Sequence, residues 1–280
     1  MDYSNPEIPE GINTSKEHPL KDFFILLASA GILISLAVLI LSLITEQLAS
    51  RIPFSMEMEL VNRSNFVEQD ISDRVTVYLQ ALADELEPYM DTPEGIQYTL
   101  HHSNSKVKNA YATLGGHIYI FQGLIEELPS ENALAMVVAH EMAHIKHRHP
   151  VIALGRGVVI GLFLAGLAGF SGDQLVSQIV NNTGMLTLLK FNRDQEREAD
   201  HTALAAVAGY YGHVAGADDL FKSLQDLESR YGMQVPEFLS THPLGEERIE
   251  NIYELASAKG WQLTGKSTPI PADVLNCQCE

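Results

Sequence analysis

Cysteine is scarce in this chain of 280 residues, and basic residues are few. The two cysteines, Cys277 and Cys279, both lie at the C-terminal end. Two cysteines cannot complete a Cys₄ zinc site, and a Cys-x-Cys pair is poorly placed for a structural disulfide, so we expect incidental thiols. The sequence has 18 basic and 36 acidic residues, which gives a formal net charge of −18. This balance excludes the basic surface that a nucleic-acid partner requires.

A long apolar run occupies the N-terminal region instead. No charged residue occurs from Phe23 to Thr45, and a helix of that length crosses a bilayer. A cleaved signal peptide would have a shorter apolar core and would start nearer the N-terminus. We therefore predict an uncleaved, single-pass transmembrane helix over residues 22–45. Two lysines precede this span and Arg51 is the first basic residue after it. This slight bias favours a location of the rest of the chain on the periplasmic or extracytoplasmic side.

The remaining composition divides the chain into four further regions. Residues 1–21 are polar and contain several prolines, which is typical of a disordered arm. Residues 46–65 alternate roughly in polarity and indicate a linker, either extended or a short strand. Residues 66–260 combine helical and strand patterns, which predicts one folded domain that contains both helices and short strands. Residues 261–280 are predicted to be a loose tail.

Local patterns predict the elements of the folded region. Apolar residues at three- and four-residue spacing predict an amphipathic helix over residues 66–86, ended by Pro88. Short strands are expected at residues 96–100 and 106–112, and a turn feeding a strand at residues 115–121. That last strand is either part of the core sheet or a sheet edge that pairs with an extended peptide substrate.

Two histidines and a glutamate form the motif His140-Glu141-Met142-Ala143-His144. In a helix, residues four apart share one face, and two neutral imidazoles placed so can hold a tetrahedral Zn²⁺. Glu141 could then act on a water molecule as a general base. The alternative is a helix that carries these residues by chance. The apolar residues before the motif indicate burial, with Ser130 as N-cap, and a buried helix tolerates such polar groups only when they are satisfied.

The residues that follow His144 offer two further imidazoles. His147 and His149 are interpreted as polar residues at a helix end, where cationic groups suit the helix dipole, rather than as further ligands. Pro150 marks the exit from the helix. Next, an apolar segment over residues 157–170 is short for a membrane span. We interpret it as a buried or membrane-surface helix, with a second crossing as the alternative.

A second acidic patch lies on a later helical stretch. Glu196 and Asp200 are four residues apart and therefore share a helix face, whereas Glu198 faces elsewhere. The patch is either a solvated face with helical salt pairs or the source of a third zinc ligand, with the other acid holding a ligand histidine. His242 precedes a proline and is therefore in extended geometry. It is either a loop histidine or a pocket residue near the metal.

Taken together, these pieces resemble one family in their order and spacing. The pieces are the two-histidine motif, Glu196-Arg197-Glu198-Ala199-Asp200, and Ser240-Thr241-His242-Pro243 followed by Arg248-Ile249; Asn109-Ala110 and Gly115-Gly116-His117-Ile118 agree with them. The family is that of the zinc metallopeptidases HtpX, BepA, the Oma-type mitochondrial proteases and the CAAX prenyl endopeptidases. The resemblance covers residues 66–256.

The resemblance implies a role for individual residues. His140, His144 and Glu196 would bind one Zn²⁺ per chain, and Glu141 would be the catalytic base. Asp200 would hold a ligand from behind, His242 would cap the zinc or stabilise the oxyanion, and Arg248 would be its companion. The implied fold is a compact, mostly helical gluzincin domain with a small sheet.

These expectations combine into a membrane-anchored zinc endopeptidase that acts on protein substrates, misfolded or membrane-associated. A single clear span favours the BepA- or Oma-like branch, because the HtpX and prenyl-protease branches have several spans. Two alternatives stay open. One is a zinc-containing chaperone or adaptor whose site is blocked by His242, and the other is a non-catalytic membrane scaffold.

Overall fold

A computed structural model describes residues 18–49, 51–63, 73–157, 191–223, 238, 242 and 247–277. Several predictions fall outside the described residues: those for the arm before residue 18, for helix residues 66–72, for the apolar segment from residue 158 onward and for residues 240, 241 and 243 of the third motif. The described part is mostly helical and contains one small mixed sheet, which confirms the predicted fold class.

The N-terminal apolar run forms helix α1 (Pro19–Ala49). Within it, Pro19–Leu41 has a mean hydropathy of 2.8, and none of this stretch is buried against the rest of the described structure. Its large apolar side chains, such as Leu26 and Ile32, are exposed. Twenty-three residues rise about 35 Å in an α-helix, so this helix is long and apolar enough to cross a membrane.

Helix α2 (Phe54–Arg63) corrects the prediction of an extended or strand-like segment after the span. Its buried face carries Glu57 and Val61, four residues apart. The Glu57 carboxylate accepts a hydrogen bond of 3.1 Å from the Gly115 amide and pairs with the Arg148 guanidinium. A buried carboxylate on the inner face hid the helical periodicity, because that pattern is recognised by apolar residues.

Helix α3 (Arg74–Leu86) begins at an N-cap, Asp73, whose side chain accepts from the Thr76 amide at 2.7 Å. A 3₁₀ turn (Glu87–Tyr89) follows, with Pro88 near its start. Proline cannot continue the hydrogen-bonding pattern of an α-helix, and the predicted end of the helix is confirmed. The apolar face of α3 packs on the sheet and on the helix Glu131–Lys146.

The sheet has strands β1 (Thr99–Ser103), β2 (Ala110–Ala112) and β3 (His117–Phe121), in the order β1-β3-β2. β3 pairs in parallel with β1 and antiparallel with β2. The interpretation of β3 as a sheet edge open to substrate is therefore wrong, because strands occupy both of its sides. Ile118 and Ile120 are fully buried, as the core-strand alternative requires.

The remaining helices are α4 (Gln122–Ile125), α5 (Glu131–Lys146), α6 (Arg193–Tyr211), α7 (Glu247–Lys259) and α8 (Ala272–Leu275); residues 149–157 and 219–223 are also helical. α5 is buried from Asn132 to Ile145 and packs against α3, β2 and α6. A helix that is covered on all sides can present polar side chains only to an internal site.

The C-terminal segment is not loose, which corrects the predicted tail. The Glu131 amide at the start of α5 donates to the Thr268 carbonyl at 2.8 Å. Ile270 and Val274 are buried in the main hydrophobic core. Cys277 packs against this core and is disulfide-bonded, so it is not an incidental thiol.

Candidate metal centre

Helix α5 supplies the first two donors of the site. Its N-terminus is capped as predicted, because the Ser130 hydroxyl accepts from the Ala133 amide at 3.2 Å. One helical turn separates His140 from His144, and their Nε2 atoms lie 3.0 Å apart. Both rings are buried. The predicted common face is therefore present, and both imidazoles point into the same internal space.

Helix α6 brings a carboxylate to the same point. A capping box fixes its start, in which Asn192 accepts from the Gln195 amide and the Gln195 side chain accepts from the Asn192 amide. The first turn then directs Glu196 inward. Its carboxylate oxygens lie 3.3 Å from His140 Nε2 and 3.6 Å from His144 Nε2.

His242 is the fourth member of the cluster. Its Nδ1 lies 3.3 Å from His140 Nε2 and 3.1 Å from Glu196 Oε1. Its Nε2 lies 3.4 Å from Glu141 Oε1. The ring is completely buried and stacks on Phe238 with a centroid separation of 4.6 Å. The sequence allowed either a loop histidine or a pocket residue near the metal, and this position is that of a pocket residue.

The four donors fit a tetrahedral metal ion. Donor atoms of His140, His144, Glu196 and His242 all lie within 4.8 Å of one another, and this is the one such group among the described residues. Bonds of about 2.1 Å to a tetrahedral zinc ion separate donors by about 3.4 Å, and the contacts given above range from 3.0 to 3.6 Å. The nitrogen and oxygen donor set is also one that zinc accepts.

Charge supports the same fit. Three buried carboxylates, those of Glu141, Glu196 and Asp200, meet one buried guanidinium, that of Arg248. With the histidines neutral, as metal binding requires, and the carboxylates ionised, this leaves an excess of two negative charges among these groups, and isolated charges are costly to bury. A divalent cation between the donors would neutralise the excess. Both carboxylate oxygens of Glu141 are also buried without a hydrogen-bond partner, as expected of a group that faces a reaction site.

Asp200 and Arg248 support the donors from behind. Asp200 Oδ1 lies 2.9 Å from His140 Nδ1, the ring nitrogen that faces away from the cluster. Arg248 binds both oxygens of this carboxylate, at 2.8 and 2.7 Å, and its third nitrogen lies 3.0 Å from Glu196 Oε2. Such bidentate pairs fix orientation as well as charge.

The buried environment shifts the pKa values of the cluster's residues in different directions. Burial raises the pKa of Glu141, although His242 and His140 oppose this shift. Burial would lower the pKa of His140, but hydrogen bonds to Asp200 and Glu196 raise it to about 9. Burial and the nearby His140 hold the pKa of His144 well below its usual value. A proton on His140 and a divalent cation therefore compete for the same carboxylates, those of Asp200 and Glu196.

Histidines 147 and 149 do not join the four donors. His149 Nδ1 lies 2.8 Å from His144 Nδ1, and its Nε2 lies 3.2 Å from Glu198 Oε2. His147 also contacts the Glu198 carboxylate, at 3.1 Å. Glu198 thus faces away from the cluster, as expected, but it is linked to it through His149.

Two contacts of His144 were not predicted from the sequence. Phe191 stacks on the His144 ring at 3.9 Å, and His149 bonds to its second nitrogen. Helical spacing could not reveal His149, because a turn with Arg148 at a φ of 63° separates it from α5. The signal available was the pair of histidines around an arginine, His147-Arg148-His149, shortly after the motif.

Comparison with known proteins identifies relatives. The family model described as Peptidase family M48 matches residues 73–256. The chain is 33% identical to the mitochondrial metalloendopeptidase OMA1 of Schizosaccharomyces pombe over 161 residues, which are 57% of this chain and 47% of that protein. It is 32% identical to the OMA1 of Arabidopsis thaliana over 158 residues, 55% of this chain and 31% of the relative.

A bacterial relative matches as well. The beta-barrel assembly-enhancing protease of Escherichia coli K12 is 26% identical over 188 residues, which are 62% of this chain and 37% of that protein. The chain therefore spans between about a third and a half of the length of these relatives. All of these matched proteins carry names that describe proteolysis.

Proposed function

Because the chain belongs to peptidase family M48, we propose that it is a membrane-anchored zinc endopeptidase that hydrolyses peptide bonds of protein substrates. One observation carries this proposal: His140, His144 and Glu196 converge in a buried site next to the buried carboxylate of Glu141. A catalytic zinc site in proteins has three protein ligands and one open position. A scaffold with no chemistry would have no use for a buried acid at that position.

The residues of the site divide the work. His140, His144 and Glu196 would hold one Zn²⁺, which when bound polarises a carbonyl group and lowers the pKa of water. Asp200 holds His140 through its second nitrogen, and Arg248 holds Asp200 and Glu196. These contacts keep the donors in place before substrate arrives.

Glu141 would manage the proton. Its carboxylate accepts a proton from the attacking water and delivers it to the leaving amine. Burial raises the pKa of this carboxyl. The shift brings the pKa closer to neutral pH, where one group can both accept a proton from water and donate it to the leaving amine. His242 Nε2 lies 3.4 Å from Glu141 Oε1. From this position it could donate a hydrogen bond to the oxyanion that develops on the substrate.

The names of the relatives suggest the substrates and the location. Proteins named metalloendopeptidase and beta-barrel assembly-enhancing protease favour protein substrates, and we extend this to misfolded or membrane-associated proteins. The anchor would be residues 22–45 of α1, with the peptidase domain of residues 66–260 on the extracytoplasmic side. No nucleic acid takes part, in agreement with the net charge of −18.

Replacement of the proposed base tests the function. Glu141→Gln should retain zinc but should lose at least 100-fold in cleavage of an unfolded model protein such as casein, because general-base catalysis contributes about 10²- to 10⁴-fold. Zinc content would be measured by metal analysis and cleavage by release of peptides. The test uses the full chain in detergent.

Two controls make this result specific. A chelator should abolish cleavage by the wild-type chain, and added zinc should restore it. A matched variant, Glu131→Gln, changes an acid in the first turn of the same helix, far from the donors, and should cleave normally. Casein cleavage by a pure Glu141→Gln preparation at the wild-type rate would refute the proposal.

A self-blocked zinc protein is a second candidate, favoured by the position of His242. Its Nδ1 lies among the donors at 3.3 Å from His140 Nε2, so that four protein ligands could close the site. In that case the protein would bind client proteins without cleaving them. His242→Ala separates the candidates: a zinc-loaded variant that still has no turnover supports the binding protein, whereas cleavage by either form supports the peptidase.

A further inference from the structure

A chain of hydrogen bonds runs from His144 to the surface. His144 Nδ1 lies 2.8 Å from His149 Nδ1, and His149 Nε2 lies 3.2 Å from Glu198 Oε2. The His144 ring is completely buried and the His149 side chain almost completely, whereas the Glu198 side chain is 55% exposed. The other nitrogen of His144, Nε2, points at His140 and Glu196.

Only one arrangement of protons satisfies this chain when a metal is bound. Nε2 of His144 must then offer its lone pair to the metal, so that its proton is on Nδ1. His149 must accept that proton with the lone pair of its own Nδ1, which leaves its proton on Nε2. That N–H in turn faces the ionised carboxylate of Glu198, an acceptor.

The alternatives fail one by one. If His149 carried its proton on Nδ1, two N–H groups would meet between the rings and its Nε2 lone pair would face a carboxylate. A doubly protonated His149 would create the same clash at Nδ1. Glu198 therefore determines the tautomer of His149, which in turn determines that of His144.

We infer that His149 and Glu198 are positioning residues that hold His144 in the metal-binding tautomer and orientation. This inference rests on the zinc site proposed above. Asp200 serves His140 directly, as a carboxylate usually serves a ligand histidine. His144 has no such carboxylate among the described residues around it, and the imidazole of His149 transmits the effect of Glu198 instead.

Burial explains why this link matters. Phe191 stacks on the His144 ring at 3.9 Å and lies 5.9 Å from the ring of His149. With this side chain over the pair, the Nδ1–H of His144 depends on His149 for an acceptor. Loss of the acceptor leaves a buried donor unsatisfied, which is costly.

His147 provides a matched comparison. Its Nδ1 lies 3.1 Å from Glu198 Oε1 and its Nε2 bonds to the Thr202 hydroxyl at 2.8 Å. It therefore shares the same carboxylate and comes from the same turn as His149. Its ring stacks on that of His149 with a centroid separation of 5.6 Å. In the described structure, however, its side chain has no hydrogen bond or ion pair with any of the four donors, so its removal should leave zinc binding close to that of the wild type.

The experiment measures zinc affinity in the full-length chain. Zinc dissociation constants would be determined by chelator competition for the wild type, His149→Leu, His149→Asn and His147→Leu. The visible spectrum of the cobalt-loaded proteins reports ligand geometry, and the melting temperature of each metal-free protein reports folding. Loss of a residue that holds a metal ligand typically weakens metal binding by about 10- to 100-fold.

The inference predicts a graded result. His149→Leu raises the zinc dissociation constant by about 10- to 100-fold and alters the cobalt spectrum, while His147→Leu changes neither. His149→Asn recovers most of the affinity, because its side-chain oxygen can stand where Nδ1 accepts. Glu198→Ala has an effect of the same sign as His149→Leu but smaller, since water can replace an exposed carboxylate.

Other outcomes overturn it. Unchanged affinity in His149→Leu, or equal losses in His147→Leu and His149→Leu, would show that the link does not position His144. An asparagine variant as weak as the leucine variant would contradict the acceptor role. A wild-type chain that binds zinc but cleaves nothing would refute the proposed function alone, because this readout is affinity.

Discussion

At the scale of single residues, neighbouring acids on one helix serve different purposes. Glu196 and Glu198 are separated by one residue in α6, and a helix therefore directs them to different sides. Glu196 is 3% exposed and lies among the donors, whereas the Glu198 side chain is 55% exposed and reaches the cluster only through His149. A direct ligand and an indirect support should differ in their effect on metal binding.

Alanine substitutions at these two acids measure that difference. Glu196→Ala should remove zinc almost completely from the purified protein, because it deletes a ligand and leaves Arg248 with one partner fewer. Glu198→Ala should retain most of the zinc at saturating metal. Zinc content per chain decides the matter by metal analysis, and equal losses in the two variants would refute the assignment of Glu196 as ligand.

The sequence predicted these residues unevenly. His140, Glu141 and His144 follow from one helical turn, and the pair Glu196 and Asp200 from another. Only the resemblance indicated which of these two acids binds the metal. The position of His242 depends on long-range packing against Phe238. Only the resemblance favoured a pocket residue near the metal over a loop histidine. His149 could not be predicted as a partner of His144, because the left-handed backbone conformation of Arg148 changes the direction of the chain between the two histidines.

At the scale of elements, an ion pair connects helix α2 to the turn that follows α5. Arg148 lies in that turn and pairs with Glu57 of α2, and it also donates to the Ile52 carbonyl at 2.6 Å. Glu57 accepts in addition from the Gly115 amide, next to β3. Burial raises the pKa of Glu57, although Arg148 opposes this. One buried ion pair thus joins three parts of the fold.

Removal of the Glu57 carboxylate should be strongly destabilising. Glu57→Ala leaves Arg148 and the Gly115 amide without their partner, and breaking a buried pair typically costs about 3–5 kcal/mol. Unfolding by denaturant, followed by circular dichroism of the detergent-solubilised chain, measures this. Glu59→Ala, a change at an exposed acid of the same helix, should cost less than about 1 kcal/mol. Equal and small effects would contradict the importance of the pair.

The element most difficult to predict was α2 itself. Its inner face combines Glu57 with Val61, so that the apolar periodicity of a packed helix is interrupted. The sheet order was also beyond sequence patterns, because strand patterns do not specify neighbours. By contrast, the apolar patterns of α3 and α5 predicted their helical nature. Their boundaries were predicted less well, because α3 begins only after Asp73 and Pro150 lies within the helical residues 149–157 rather than at the end of α5.

At the scale of the whole molecule, an exposed apolar helix is joined to a buried polar centre. α1 exposes its apolar side chains along the stretch Pro19–Leu41, whereas α2 begins only a few residues after α1 ends and packs on the folded domain. If α1 crosses a bilayer, this arrangement holds the candidate site close to the membrane surface. Substrates would then be membrane-associated proteins or extended segments that reach the surface.

Membrane attachment can be tested by extraction. The full chain should remain with membranes in alkaline carbonate and should require detergent for release, since more than 20 apolar residues are inserted. A chain that starts at residue 51 retains α2 and should be released without detergent. Release of the full chain by carbonate would contradict a transmembrane anchor.

The central claim is that three distant segments of the chain build one zinc site, and anomalous X-ray scattering at the zinc absorption edge tests it most directly. In crystals of the zinc-loaded protein, the account predicts one strong anomalous peak bounded by His140 Nε2, His144 Nε2 and the Glu196 carboxylate, with Glu141 and His242 beside it. A zinc peak at any other position, or the absence of a peak between these donors, would contradict the account.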